Sequence, residues 1–121
     1  IGICPEIYKD DFQKLQCTKE IIARTVSERT EMVISESDVL LFLPGGIGTM
    51  FELLTAIESK RGHEHDKLII IFNSNNYFDK LLETFDKIYS EKFTSSKVSK
   101  NYIVCNSSEE VINILKTIEG N

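Results

Sequence analysis

The sequence predicts an α/β fold, a parallel sheet flanked by helices, and three observations carry that expectation. Four β-branched or apolar runs recur along the chain: IGIC (1–4), VLLFL (39–43), LIIIF (68–72) and YIVC (102–105). Apolar residues on consecutive positions mark strands covered on both faces. Between the runs lie helical patterns at 27–36, 48–60, 77–90 and 107–119, and strand-then-helix alternation makes a parallel sheet with right-handed crossovers. A glycine-rich turn, Pro44-Gly45-Gly46-Ile47-Gly48-Thr49, follows the second run directly, at the carboxyl end of a strand, where open parallel sheets hold their ligands.

The helices carry the stripes that such a sheet requires. In 77–90, Tyr77, Leu81, Leu82, Phe85 and Ile88 recur at three to four residues, and in 107–119 Val111, Ile114, Leu115 and Ile118 do the same, as core faces should. Asp79 and Ser107 or Ser108 are candidate caps. The segment 92–101, rich in Lys, Ser and Thr, is expected to be a surface loop, and EIIARTV (20–26) a short extra strand rather than the start of the next helix.

Composition narrows the function classes. The chain has 121 residues, 41% hydrophobic and 27% charged, the size and make-up of one globular domain. A net charge of -5 argues against nonspecific nucleic-acid binding, which needs a basic face. No apolar run approaches the roughly 20 residues of a membrane span. Cys4, Cys17 and Cys105 are odd in number and widely spaced, which suggests buried thiols in a reducing cytoplasm rather than disulfides or a zinc site. The chain enters directly into IGIC without an initiator methionine, the expectation for a piece of a longer chain.

The glycine turn has a physical use. The first amides of a helix lack intrahelical partners, and the helix dipole presents partial positive charge there, so a strand-to-helix turn suits an anion. Glycines let phosphate oxygens approach the backbone with no Cβ in the way, and Thr49 adds a hydroxyl. The simpler alternative is a tight turn with no ligand. The pattern is neither a Walker A sequence nor GxGxxG.

Residues 44–52 spell PGGxGTxxE, and this long motif resembles the signature of the Lonely Guy (LOG) family of nucleoside 5'-monophosphate phosphoribohydrolases, often mislabelled as lysine decarboxylases. The resemblance extends to IGICPEIY, to Ser37-Asp38 before the motif strand, to His65-Asp66-Lys67, and to Asn73, Tyr77, Leu81, Leu82, Asp86, Lys87 and Phe93, with no gap needed from about Arg29 to Phe93. It implies a single Rossmann-like domain over 1–121 whose first strand and first glycine-rich loop precede Ile1. It also implies that Gly45, Gly46, Ile47, Gly48 and Thr49 bind the phosphate of a nucleoside monophosphate. Counting back from Pro44 by the family's spacing lands on Arg29, which with Glu52 forms the implied catalytic pair. Val26, Ser27 and Thr30 stand where the family has Met, His and Lys, and Ser59 and Arg61 replace an aromatic and a glutamine. Both adenine and an N6-modified adenine are compatible with that pattern.

The chemistry stands on its own terms as well. Breaking a nucleotide's N-glycosidic bond passes through an oxocarbenium-like sugar, so a carboxylate near the anomeric carbon can stabilise charge, orient ribose hydroxyls or activate water. Taken alone, Glu52 could equally be a first-turn glutamate that complements the helix dipole, worth ~0.3–1 kcal/mol, and Arg29 a solvated arginine on a charged helix. The chemistry requires no cofactor and no metal. In RGHEHD (61–66), two histidines at i and i+2 make poor metal geometry, and a solvated loop is expected. Lys67 invites a pyridoxal phosphate reading, but nothing in the sequence marks a partner for the pyridine nitrogen. The competing class is a nucleotide or molybdenum-cofactor carrier, which would keep the glycine turn without needing Glu52. Finally, Met50, Phe51, Leu53, Leu54 and Ile57 give helix 48–60 a wider apolar surface than one sheet-facing stripe needs. With the resemblance, this implies a homodimer.

Overall fold

The computed structural model describes the backbone of Gly2–Pro5 and residues 20–119, with side chains from residue 23 onward. The chain divides into two compact units, Ile1–Asp38 and Val39–Asn121.

In the first unit, strand β1 (Gly2–Pro5) runs parallel to β2 (Glu20–Ala23), with Gly2 opposite Glu20 and Pro5 opposite Ala23. EIIARTV thus opens as the expected strand, and Arg24 and Thr25 turn it into helix α1 (Val26–Glu36), which packs on both strands. Thr25 begins that helix because its extended backbone lets its hydroxyl accept from the Glu28 amide at 3.0 Å. Glu28 reaches back to accept from the Arg24 amide at 3.3 Å and from its Nε at 2.9 Å, a variant of the reciprocal cap in which Thr and Glu satisfy orphan donors together. Ile1, Cys17 and the Cys4 side chain lie outside the described residues.

The second unit holds a parallel sheet in the order β3 (Val39–Phe42), β4 (Leu68–Phe72), β5 (Ile103–Cys105). Val39 lies opposite Leu68, and Ile70 opposite Ile103. The central position of β4 explains its sequence: Ile69, Ile70 and Ile71 are all 0% exposed. Ile70 packs with Cys105 and Val111 on the face covered by α4 (Ser108–Glu119), while Ile69 and Ile71 alternate to the other face. Each such burial stabilises by roughly 1.5–3 kcal/mol. For β3 the expectation of two covered faces needs correction. Leu40 and Phe42 are buried but Leu41, which points to the opposite face, is 42% exposed, so β3 buries alternate residues on one face.

Helix α2 (Ile47–Arg61) buries Leu53, Ala56 and Ile57, and α3 (Asp79–Ser90) buries Phe85. The expected helix 77–90 starts two residues late. Tyr77 precedes it and is 50% exposed, and Phe78 is the buried aromatic. Ile118 is also exposed rather than core. Asp79 does not cap α3. The Asn73 side chain does that work, its Oδ1 accepting from the Phe78 amide at 2.7 Å while its Nδ2 donates to Asp79 Oδ1 at 2.7 Å. Ser107 does cap α4, accepting from the Glu110 amide at 3.2 Å, and Glu110 accepts from the Asn106 amide at 2.7 Å. The expected loop 92–101 ends in a 3-10 helix, Ser96–Asn101, whose Val98 is buried. Among the described residues no helix is long and apolar enough to cross a membrane.

Candidate functional site

The glycine turn lies at the carboxyl edge of the second unit's sheet, between Phe42 of β3 and Ile47 of α2. Its helix begins differently from α1 and α4. Gly46 is the N-cap, no side chain accepts a hydrogen bond there, and the first turn holds no acidic residue. The first intrahelical bond runs from the Met50 amide to the Gly46 carbonyl at 3.1 Å. Among the described residues no capping side chain accepts from this first turn, which stands at the positive end of the helix dipole, the arrangement that attracts an anion.

The glycines of the turn serve two purposes. A Cβ on Gly45 would lie 2.3 Å from Thr49 Oγ1 and 3.0 Å from Thr49 Cβ, so this glycine is bare to admit the threonine side chain. A Cβ on Gly46 would meet nothing within 4 Å. Gly46 borders open space, which is room for a ligand oxygen. None of the described glycines has a positive φ, so at Gly45 close approach of the Thr49 side chain, not backbone conformation, accounts for the glycine. Ile47 at the helix start is 86% exposed, and Gly48 is exposed beside it.

Glu52 is half-buried on α2, three residues after half-buried Thr49, and residues three apart share a helix face. The carboxylate, the Thr49 hydroxyl and the glycine turn thus belong to one structure. Arg29 is half-buried on α1 of the first unit. Around it, Val26 and Ser27 are exposed, and Thr30 is buried with its hydroxyl donating to the Val26 carbonyl at 3.2 Å. Arg61 donates from Nε to Glu58 Oε2 at 2.9 Å, and that bond holds the Glu58 carboxyl below its usual range.

A feature that the sequence reading overlooked adjoins the turn. The connection from β4 to α3 runs through Asn73, the short 3-10 helix Ser74–Asn76 and Tyr77. Its Asn75 and Asn76 both have positive φ, 54° and 59°. From its end the Tyr77 hydroxyl donates to the Gly45 carbonyl. The polar run Asn73-Ser74-Asn75-Asn76 after an apolar strand was the available signal, since asparagine tolerates left-handed backbone.

Elsewhere the titratable groups are structural. His65 is half-buried, not solvated as expected. Its Nδ1 accepts from the Lys67 amide at 3.0 Å, so Nε2 carries the proton and donates to the Ala56 carbonyl at 2.8 Å. Among the described residues no three His, Cys, Asp or Glu side chains are grouped to hold a metal ion. Burial pushes the Tyr102 hydroxyl well above the ordinary tyrosine value, with its bond to Tyr89 at 2.7 Å adding to the shift. Burial also raises the Cys105 thiol, helped by the negative charge of Glu110.

A family model described as "Possible lysine decarboxylase" matches residues 1–115. The relatives that carry curated names give the family its sense. LOG1 of Arabidopsis thaliana, a cytokinin riboside 5'-monophosphate phosphoribohydrolase, is 31% identical over 125 aligned positions, covering 96% of this chain and 55% of that protein. The chain belongs to the Lonely Guy family. LOG4 of the same plant is 30% identical, with 96% of this chain and 54% of that protein covered. A protein of Oryza sativa subsp. japonica named "Probable cytokinin riboside 5'-monophosphate phosphoribohydrolase LOGL1" is 33% identical over 91 residues, covering 75% and 41%. The chain thus spans about half the length of the curated LOG relatives it matches.

Proposed function

We propose that this LOG-family protein hydrolyses the N-glycosidic bond of a purine nucleoside 5'-monophosphate to free base and ribose 5-phosphate. The observation that carries the reading is the α2 start, where a glycine cap that supplies no side-chain acceptor and a Cβ-free opening at Gly46 stand on one helix with Glu52. The 5'-phosphate is held by the amides of Gly46, Gly48 and Thr49. A nucleotide's length away, Glu52 stabilises the oxocarbenium-like sugar, orients its hydroxyls or activates water. Arg29 is its catalytic partner by the family's spacing. The names of the plant relatives support a nucleoside 5'-monophosphate as substrate, with adenine or an N6-modified adenine as its base. No cofactor enters this chemistry, and a cytoplasmic location agrees with it.

The decisive experiment is release of ribose 5-phosphate from AMP by the full-length protein. Glu52→Gln is expected to cut kcat by orders of magnitude while AMP binding persists, because the carboxylate acts on charge that develops in the transition state. Tight AMP binding without turnover in the unmutated protein would instead identify a nucleotide carrier. We further propose a homodimer. Ile47, Phe51 and Leu54 are exposed on α2 while Leu53, Ala56 and Ile57 on the same helix are buried, so the helix presents a second apolar face for a partner subunit. Light scattering tests this, and a monomer with full AMP hydrolysis would refute it.

A further inference from the structure

The β4–α3 connection is built more elaborately than a chain reversal needs. Asn73 is 4% exposed and spends its backbone amide as well as its side chain: the amide donates to the Cys105 carbonyl at 2.7 Å, tying the start of the connection to β5. Its Oδ1 and Nδ2 fix the first turn of α3 through Phe78 and Asp79. Between these fixed points Asn75 and Asn76 take left-handed backbone in succession. What the connection delivers is Tyr77. Its ring stands edge-on to the buried Phe78 ring, centroids 5.2 Å apart at 87°, and its hydroxyl reaches a carbonyl 32 residues away in sequence.

That carbonyl is informative. In a trans peptide the C=O and the following N–H lie in one plane and point in opposite directions, so holding the Gly45 oxygen fixes where the Gly46 N–H points. A carbonyl that accepts a hydrogen bond also makes its own amide a stronger donor. Gly45 and Gly46 are the most pliable residues of the turn, and Gly46 has no side chain to steady it. We propose that Tyr77 is a positioning residue of the phosphate site, clamping the Gly45–Gly46 peptide so that the Gly46 amide is aimed at the anion before it arrives. This rests on the reading of the glycine turn as the phosphate site.

Tyr77→Phe keeps the ring and removes only the clamp. In the full-length protein it is expected to raise the Kd for inorganic phosphate and for AMP about tenfold, the loss of one well-aimed hydrogen bond. KM for AMP should rise with it while kcat stays within about threefold, since Glu52 is untouched. Hydrogen exchange at the Gly46 and Gly48 amides should quicken in the ligand-free variant with the thermal midpoint unchanged. Unaltered phosphate affinity and unaltered exchange in Tyr77→Phe would overturn the proposal while leaving the phosphate site standing. So would a variant that loosens amides throughout residues 39–119 and lowers the midpoint, since Tyr77 would then be a packing residue. Failure of the unmutated protein to bind either probe would instead refute the phosphate site itself, and the role of Tyr77 with it.

Discussion

The two ends of the second unit's sheet each carry two non-glycine residues of positive φ, and they use them differently. At the amino end, α2 and α3 both close with the same pair of bonds. The His63 amide donates to Lys60 and the Glu64 amide to Ser59; the Lys92 amide donates to Tyr89 and the Phe93 amide to Ile88. His63 and Lys92, at φ 63° and 65°, occupy the position after the cap where glycine is usual. At the carboxyl end, Asn75 and Asn76 terminate no helix of that kind, and the chain they bend carries Tyr77 to Gly45. Strain by itself does not mark a site. What marks it is a hydrogen bond spent on something other than the element that is strained.

Cavity size misleads in the same way. A cavity of about 860 Å³ opens at the amino end, lined by Lys60, Arg61 and His65 among others. Those three side chains are already engaged: Lys60 Nζ donates to the Lys67 carbonyl at 2.8 Å, Arg61 is paired with Glu58, and His65 is bonded at both nitrogens. These bonds tie residues 61–67 to α2. The glycine turn differs: its cap, Gly46, supplies no side-chain acceptor, and a Cβ there would meet nothing within 4 Å.

Asn73→Ala should break this contrast most severely. It leaves the buried Phe78 amide without its acceptor and releases Asp79, for an expected loss of about 2–3 kcal/mol in urea denaturation. Removing the exposed pair at the other end with Glu58→Ala should leave the midpoint where it was. Equal losses from both would mean that the ends are alike.

Gly45→Ala and Gly46→Ala sharpen the comparison within the turn itself. The first forces the Thr49 side chain out of place and is expected to cost about 1–3 kcal/mol of stability. The second meets no neighbour, so it should cost only the ~0.5–1.5 kcal/mol by which alanine is the poorer N-cap, while weakening AMP binding severalfold. Unchanged AMP affinity in Gly46→Ala would make the opening incidental.

Much of this was legible beforehand. LIIIF was recognisable as a strand buried on both faces because nothing but apolar residues fills it, and PGGIGT as a strand-to-helix turn because glycine there costs stability unless something needs bare backbone. The role of Tyr77 was not legible. Helical spacing counts an aromatic as core, and only the start of α3 at Asp79 takes Tyr77 off that stripe and leaves Phe78 to fill the core. Long-range bonds such as Tyr77 to Gly45 or Asn73 to Cys105 join residues about 32 apart, and no local pattern encodes them. The Thr25 and Ser107 caps were more accessible, since in both a glutamate follows three residues later.

A smaller effect belongs to alkaline pH. Tyr102 and Cys105 both have their ionisation raised by folding, so the native state holds these protons more tightly than the unfolded chain. Their contribution is complete below the ordinary thiol and phenol values, about 8.5 and 10, and is lost as pH climbs beyond them. The urea midpoint should fall between about pH 9 and 11, and Tyr102→Phe should flatten the upper part of that decline. A decline that is identical in Tyr102→Phe would place its cause elsewhere.

The smallest effect is a gain. Left-handed backbone costs an ordinary L-residue roughly 1–2 kcal/mol, and glycine removes that cost. Against this, glycine gives the unfolded chain more freedom, worth about 0.4–1 kcal/mol. His63→Gly and Lys92→Gly should therefore each stabilise by about 0.5–1 kcal/mol, and together by about the sum, since they end different helices. AMP hydrolysis should be untouched, because both residues lie at the sheet end away from the glycine turn. Asn76→Gly makes the same exchange beside Tyr77, where asparagine already tolerates the conformation better and a looser chain loosens the clamp. It should gain less stability and raise KM for AMP. If Asn76→Gly instead matched His63→Gly in both respects, the left-handed pair beside Tyr77 would be ordinary turn geometry, and the two ends of the sheet would differ only in where their helices start.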